Sequence, residues 1–386
     1  MTVDISVDPG IVDPGAVDSR RATTSAGGGS AETKGSAAGA LWSRISEWAW
    51  IGRAAGRGIV NFLIFVIVAF FLVQLIPGDP LVSASGGRLS GAALEQAREA
   101  YGLNGSLASQ FWAYLTSLFS LDLGSSIATG RPVVEDMATR VPATLELIGA
   151  GLFFACLISL PMSYLIVTRP TNRFSKVLRS YASSAGAIPE YVVGILFLFV
   201  FFATLAWVPA PSGRLDPILM PPAEVTGFPI LDAFIAGDTA AANSYIAHLI
   251  LPVAVMTVSH SAILVKSLVL ALDTEIDSSA TRFRIASGAP RRVVILSIYR
   301  RALPSAVAML GMIFGLLLGG AVVLESLFGL GGLGQYAVDA VRSSDVFALR
   351  SFLVVIAALC LIVYFLTEVA TGLLDPRRRD SRNQEV

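Results

Sequence analysis

The chain has 386 residues, of which 54% are hydrophobic and only 15% charged, and its formal net charge is zero. That balance, with a strongly positive mean hydropathy, excludes an ordinary soluble globular domain. A neutral chain has no electrostatic footprint for nucleic acid. Its two cysteines, Cys156 and Cys360, both sit in apolar runs and form neither a disulfide framework nor a metal-ligand spacing.

Residues 1–40 are rich in Gly, Ala, Ser, Asp and Thr and repeat Val-Asp-Pro-Gly at Val7 and Val12. They can bury no core, so a disordered cytoplasmic tail is expected. The first long apolar run begins only near Gly58, which is not the pattern of a secretory signal. Residues 41–57 combine Trp42, Trp48 and Trp50 with Arg44, Arg53 and Arg57, side chains suited to the headgroup zone. They predict a short interfacial helix leading into the membrane.

A helix needs about 20 apolar residues to cross about 30 Å of hydrocarbon. Six stretches qualify: 58–76, 143–167, 182–208, 248–272, 304–328 and 349–374. The predicted fold class is therefore an all-α integral membrane protein with six transmembrane helices. Gly311, Gly315, Gly319 and Gly320 in the fifth stretch suit close helix packing, and Pro161, Pro189 and Pro252 are expected as kinks. With the N-terminus inside, twenty lysines and arginines fall in cytoplasmic segments and six outside. That bias predicts that both termini are cytoplasmic. Lys266 and Arg350 fall at or within span boundaries.

Residues 77–142 form an external segment too long to be bare loop. Ser90 is placed to cap a helix reaching Tyr101, and 107–119 predicts a second, aromatic-rich helix. The external loop 209–247 carries Asp216, Glu224, Asp232 and Asp238 against Arg214 alone, either as a solvated surface or as a contact for an external partner. The core, 143–374, contains a cytoplasmic loop, 273–303, that is dense in arginine. Gly288-Ala289-Pro290 breaks it into a helix-break-helix elbow, since glycine frees the backbone and proline blocks continuation. Residues 375–386 form a cytoplasmic tail.

No Gly-x-x-x-x-Gly-Lys-Ser/Thr phosphate loop occurs, so ATP cannot be bound and hydrolysed by that route. The glycine-rich stretch 329–334 reads as a tight external turn. Two ionisable groups stand inside spans, where their cost points to function. Glu190 follows Pro189 about two turns into the third span, and His260 is near the middle of the fourth. Each either lines a substrate path or pairs with a neighbouring helix. Ser259 and Ser261 project about 100° from His260, so they form no serine–base pair with it. No hydrolase or metalloprotease motif appears. An ion-coupled secondary transporter would show internal repeats, and none is visible. A stiff elbow without catalytic machinery implies a chain driven by a partner.

Several stretches together resemble the dipeptide and oligopeptide permeases of bacterial ATP-binding-cassette importers, specifically the first of their two membrane subunits. They begin with Ile76-Pro77-Gly78-Asp79-Pro80, Tyr101-Gly102-Leu103 and Leu121-Asp122-Leu123-Gly124-Ser125-Ser126, in which Leu121 stands where glycine is usual. Pro142-Ala143-Thr144-Leu145-Glu146-Leu147, Pro211-Ser212-Gly213-Arg214, Leu324-Glu325-Ser326-Leu327-Phe328 and Asp375-Pro376-Arg377 continue the series in order. The resemblance implies a type I importer permease fold in the bacterial inner membrane. It implies as partners a second homologous permease, two ATPase subunits that bind ATP and Mg, and an extracytoplasmic solute-binding protein. No cofactor or metal is expected in this chain. Di- or oligopeptides are the implied cargo, while relatives carry nickel complexes, glutathione, haem and sugars. The elbow is similar to the coupling segment that docks on the ATPase, with Arg282, Phe283, Arg284, Ala286, Ser287 and Gly288 as its contact residues. Arg282, Ala286 and Gly288 match the family pattern, while Phe283, Arg284, Ile285 and Ser287 depart from it. Glu190 and His260 are the candidate pathway residues, and Glu146 and Glu325, near the outer face, the candidate external gate.

Overall fold

The computed structural model describes residues 37–374 except 77, 89 and 185, with side chains from Trp50 onward except at 84. Residues 1–36 of the expected N-terminal tail, the tail 375–386 with its Asp375-Pro376-Arg377 motif, and the side chains of Trp42 and Trp48 lie outside the described residues, while 37–40, expected in the tail, are already helical. Among the described residues the regular structure is helical. The helices are α1 (Ala37–Gln74), α2 (Pro80–Ala84), α3 (Ala92–Ala100), α4 (Leu107–Phe119) and α5 (Val133–Thr168). Then come α6 (Arg173–Ser183), α7 (Glu190–Phe197) with a wider π-type continuation over Leu198–Thr204, α8 (Pro229–Ile235) and α9 (Thr239–Ile276). The chain ends with α10 (Ser279–Ala286), α11 (Arg291–Phe328), α12 (Leu333–Arg342) and α13 (Val346–Leu374).

Among the described residues five helices are long and apolar enough to cross a membrane, the crossing part of α1 being Trp50–Gln74. The sixth expected crossing differs. The run 182–208 is not one helix: α6 ends at Ser183, Gly186 turns with φ 77°, and Pro189 starts a new helix at Glu190. A proline at the N-cap restricts the residue before it to extended backbone, so the break is set locally. The remaining apolar helix, Glu190–Thr204, reaches only about 22 Å at 1.5 Å per residue.

Other boundaries move as well. The expected interfacial helix 41–57 and first span are one continuous helix, because no proline or cap interrupts them. The N-cap of α3 is Gly91 and not Ser90, and it makes no side-chain capping bond. The expected helix 107–119 is present as α4, capped by Ser106, which accepts from the Ser109 amide. The elbow is shorter than 273–303, because α9 and α11 run past the apolar stretch and leave only a short connection carrying α10. Pro142, Pro161, Pro252 and Pro304 stand inside long helices, as membrane helices allow.

The central helix is α9, packed against α5, α6, α7, α8 and α11. Leu147, Ile148, Met256, Leu317 and Leu324 form its main contact layer. Gly151 lets α5 approach: a side-chain carbon there would stand 3.0 Å from Met256 Cβ. In lipid such close packing, and not exclusion of water, holds helices together. Outside this core, α1 packs chiefly on α13 in antiparallel fashion. Arg57 near the start of α1 meets Glu368 near the end of α13 at 2.7 Å, while the Phe70 ring lies 4.6 Å from the Arg350 guanidinium. The near ends of α1 and α13 therefore emerge on one face.

The external segment is tied down at Asp79. One of its carboxylate oxygens caps α2 by accepting from the Leu81 and Val82 amides, and the other takes the Arg98 guanidinium of α3 at 2.5 Å. On the other side Asp345 starts α13, accepting from the Ala348 amide, and receives Ser126 Oγ at 2.5 Å and the Ala128 amide at 3.1 Å.

Candidate functional site

At the end of the molecule away from the external segment, α10 bridges α9 and α11. Ser278 caps it by accepting from the Thr281 amide, and Gly288, with φ 73°, ends the turn after it. Thr281 is buried and Ile285 half-buried against Leu272 and Val294, leaving Arg282, Phe283, Arg284, Ala286, Ser287 and Gly288 exposed. Phe283 is 73% exposed, an aromatic ring that no described residue covers.

One residue outside the sequence-level set fixes this helix in place. Arg301 of α11 donates from Nε to Glu275 Oε2 at 2.7 Å, from Nη1 to Ser297 Oγ at 2.6 Å and from Nη2 to Thr281 Oγ1. Thr281 in turn donates to the Glu275 carbonyl at 2.7 Å. A planar fork of donors spanning α9, α10 and α11 makes the three move as one body. No local pattern marks Arg301, since Thr281 and Glu275 lie 20 and 26 residues away in sequence.

Between α7 and α9 the two ionisable residues singled out by composition come together. Glu190 Oε1 lies 3.6 Å from His260 Nδ1, and that nitrogen lies 3.0 Å from the Met256 carbonyl one turn earlier. Glu190 is the first residue of α7 and not two turns inside it, so its carboxylate meets the positive end of the helix dipole. Its Oε1 has no hydrogen-bond donor among the described residues. The third wall is Gly320 of α11, whose missing side chain makes room for the Glu190 carboxylate. The same α9 and α11 that hold α10 therefore flank Glu190. His260 is about 22 Å along α9 from Glu275, at 1.5 Å per residue.

At the end opposite α10, Glu146 and Glu325 are both engaged. Glu146 pairs with Arg214 and accepts from the Ile230 amide at 3.0 Å, pinning the loop before α8 to α5. Glu325 accepts from Thr144 Oγ1 at 2.6 Å and from the Gly334 and Gln335 amides at 2.7 and 3.2 Å. It thus caps α12 from α11, while Thr144 accepts from the Leu333 amide at 2.8 Å. Asp232 accepts from the Thr226 hydroxyl and amide and from the Gly227 amide. The Thr226 hydroxyl first, then those amides, hold the Asp232 carboxyl below the usual aspartate range. Asp238 caps α9. These two acids of the external loop therefore hold the loop in shape.

Sequence comparison assigns the family. The family described as "Binding-protein-dependent transport system inner membrane component" matches residues 148–380, more than half of the chain. The chain belongs to this family. The family's N-terminal region, "Binding-prot-dependent transport system membrane comp, N-term", matches residues 49–148 and so covers α1 from residue 49 onward and the external segment. Among relatives, the probable D,D-dipeptide transport system permease protein DdpB of Escherichia coli (strain K12) is 33% identical over 342 residues, spanning 87% of this chain and 97% of that protein. The di/tripeptide transport system permease protein DppB of Pseudomonas aeruginosa (strain UCBPP-PA14) is 29% identical over 335 residues, spanning 86% and 99%. The dipeptide transport system permease protein DppB of Escherichia coli (strain K12) is 27% identical over 338 residues, spanning 86% and 99%. The chain is thus a multi-pass permease component of a binding-protein-dependent transport system, a non-catalytic membrane subunit.

Proposed function

We propose that this permease carries short peptides inward, as one of two membrane subunits whose movement is driven by two ATPase subunits that hold ATP and Mg. Its relatives are named for dipeptide and tripeptide transport, which supports the cargo class. The observation that carries the coupling role is the clamped helix α10. Its inner side is locked to α9 and α11 through Arg301, while Arg282, Phe283 and Arg284 face outward. A partner gripping that outer face moves α9 and α11 together, and these two helices flank Glu190. Glu190 and His260 then line the path where access switches, and the two states differ in how the partner holds α10. Glu146 and Glu325 anchor the loop before α8 and helix α12 at the external gate, where a solute-binding protein delivers cargo. In this reading α10 and both termini face the cytoplasm.

The test is reconstitution with the second permease, the ATPases and the binding protein. A cysteine replacing Phe283 should crosslink to an ATPase subunit, and labelled di- and tripeptides should enter vesicles only when ATP is present. Uptake of glutathione, haem or a nickel complex with no uptake of peptide would replace the cargo assignment. ATP turnover by this chain alone would remove the coupling assignment.

A further inference from the structure

A cavity of about 210 Å³ opens between the external segment and the first turns of α13. A single water needs roughly 10–15 Å³ by the same kind of measure, so the space holds much more than one. Its floor is Arg350, 6% exposed, which forms no hydrogen bond or ion pair among the described residues and has a buried, unpartnered Nε. The guanidinium is instead framed by rings, 4.6 Å from Phe70, 5.9 Å from Phe347 and 6.0 Å from Tyr114. Ring faces stabilise the cation but leave its N–H donors unused. The Tyr114 hydroxyl is also buried without a partner. Burial pushes that phenol up to about 12, so it is a neutral donor at ordinary pH. The acid of the lining, Asp122, is exposed and accepts from the Gly124 amide at 2.9 Å without pairing with Arg350. Two unpaired donor groups at the base of an otherwise largely apolar cavity fit an oxyanion carried on an apolar stem.

The surface beside the cavity indicates the source. Helix α4 turns Phe111 and Tyr114 onto Phe70, and leaves Trp112 and Phe119 67% and 78% exposed on its other side. Leu121, just beyond it, is 80% exposed. Apolar and aromatic side chains on this side of a helix next to the outer end of α1 suit the headgroup layer. We propose that the cavity binds the phosphate of a membrane phospholipid, with Arg350 and Tyr114 donating to its oxygens and the acyl chains lying along α4. Buried polar side chains left open on one side are the feature that distinguishes this cavity from a packing defect.

The test uses the full chain in complex with its partner subunits, stripped of lipid in detergent and examined by native mass spectrometry. Three probes separate the sources: phosphatidylglycerol, diacylglycerol lacking phosphate, and inorganic phosphate. Wild type should bind added phosphatidylglycerol, and both Arg350→Gln and Tyr114→Phe should weaken its retention, the arginine change by about tenfold or more because its bonds are charge-assisted. Diacylglycerol should not bind in its place, and inorganic phosphate should not displace the lipid at equal concentration. Tyr114→Phe removes one oxygen and no volume, so it keeps the test open if Arg350→Gln fails to assemble. Unchanged lipid retention in Tyr114→Phe, together with higher thermal stability, would make the cavity purely structural and overturn the proposal. Displacement by inorganic phosphate alone would overturn the lipid source.

Discussion

The carboxylate of Glu190 occupies the space that a side chain on Gly320 would need: a β-carbon there would stand 3.1 Å from Glu190 Cδ and collide with an oxygen. Helices α7 and α11 are thus matched acid to glycine, with His260 of α9 closing the third side. Gly320→Ala should displace Glu190 and cost about 1–3 kcal/mol, the range for overpacking. Glu190→Ala in the same chain should restore most of that stability without restoring transport. A double-mutant cycle of thermal stability, run beside an uptake assay, measures both quantities. Additive stability effects would show that the two positions do not interact.

Gly288 offers a separate handle on coupling. A side chain there would meet open space, but φ 73° is a conformation that β-branched residues adopt poorly. Gly288→Val should therefore strain the backbone by about 1–2 kcal/mol and re-aim α10 while leaving the membrane core intact. Expression should stay near wild type, and peptide uptake and peptide-stimulated ATP hydrolysis should fall together. Normal uptake with reduced hydrolysis, or the reverse, would separate α10 from the drive.

Two kinds of information were legible in the sequence to different degrees. Long apolar runs with few charges located α1, α5, α9, α11 and α13, because crossing length and hydropathy are properties of a continuous stretch. The same property misled over 182–208, where composition stays apolar across a break made by Gly186 and Pro189. Glu190 and His260 stood out as costly groups in apolar runs, but their pairing depends on how α7 and α9 approach. The helix α12 was visible in principle: Leu333, Tyr336, Ala337 and Ala340 are buried at helical spacing. Its preceding glycines drew the reading toward a turn. The clamping role of Arg301 had no local signal, as only Ser297 is near it in sequence while Thr281 and Glu275 come from distant segments.

Glu325 is buried and its oxygens are shared among Thr144 and the first amides of α12. Glu325→Gln keeps the shape but turns one acceptor into a donor facing another donor. An unsatisfied buried group costs about 1–3 kcal/mol, so α12 should fray. Hydrogen exchange at 333–336 should accelerate by one to two orders of magnitude. Exchange at α10 should not change, since α10 lies at the opposite end.

Acid should loosen the external segment in a defined direction. The Arg98 hydrogen bond holds the Asp79 carboxyl below its usual value, and the Thr226 hydroxyl does the same for Asp232. Both folded values lie below the unfolded one, so the stability they contribute is complete above about pH 3.9 and is lost as pH falls through the folded values. Hydrogen exchange at Leu81, Val82, Thr226 and Gly227 should be flat from pH 8 to 5, after correction for intrinsic rates, and rise only in stronger acid. Asp79→Ala, which removes the accepting oxygen, should expose the first pair of amides at neutral pH.

Orientation can be read with single cysteines at Ser90 and Arg282 in a chain lacking Cys156 and Cys360, which are both partly buried. An impermeant thiol reagent should label position 90 in intact cells, and position 282 only after the cells are opened. The opposite pattern would invert the molecule.

The antiparallel pairing of α1 with α13 also constrains biosynthesis. The ribosome makes α1 well before α13, so the side of α1 that α13 covers stays open until α13 has emerged. Gly372, near the end of α13, leaves room for the Trp50 ring, so the contact that seats the first helix forms only once the last turn has been inserted. A nascent chain halted after α11 would hold a complete central trio of α5, α9 and α11 but an α1 held only by its ring contacts with α4. Quality control in the membrane could therefore tell finished from unfinished copies by whether the side of α1 that α13 covers is still open.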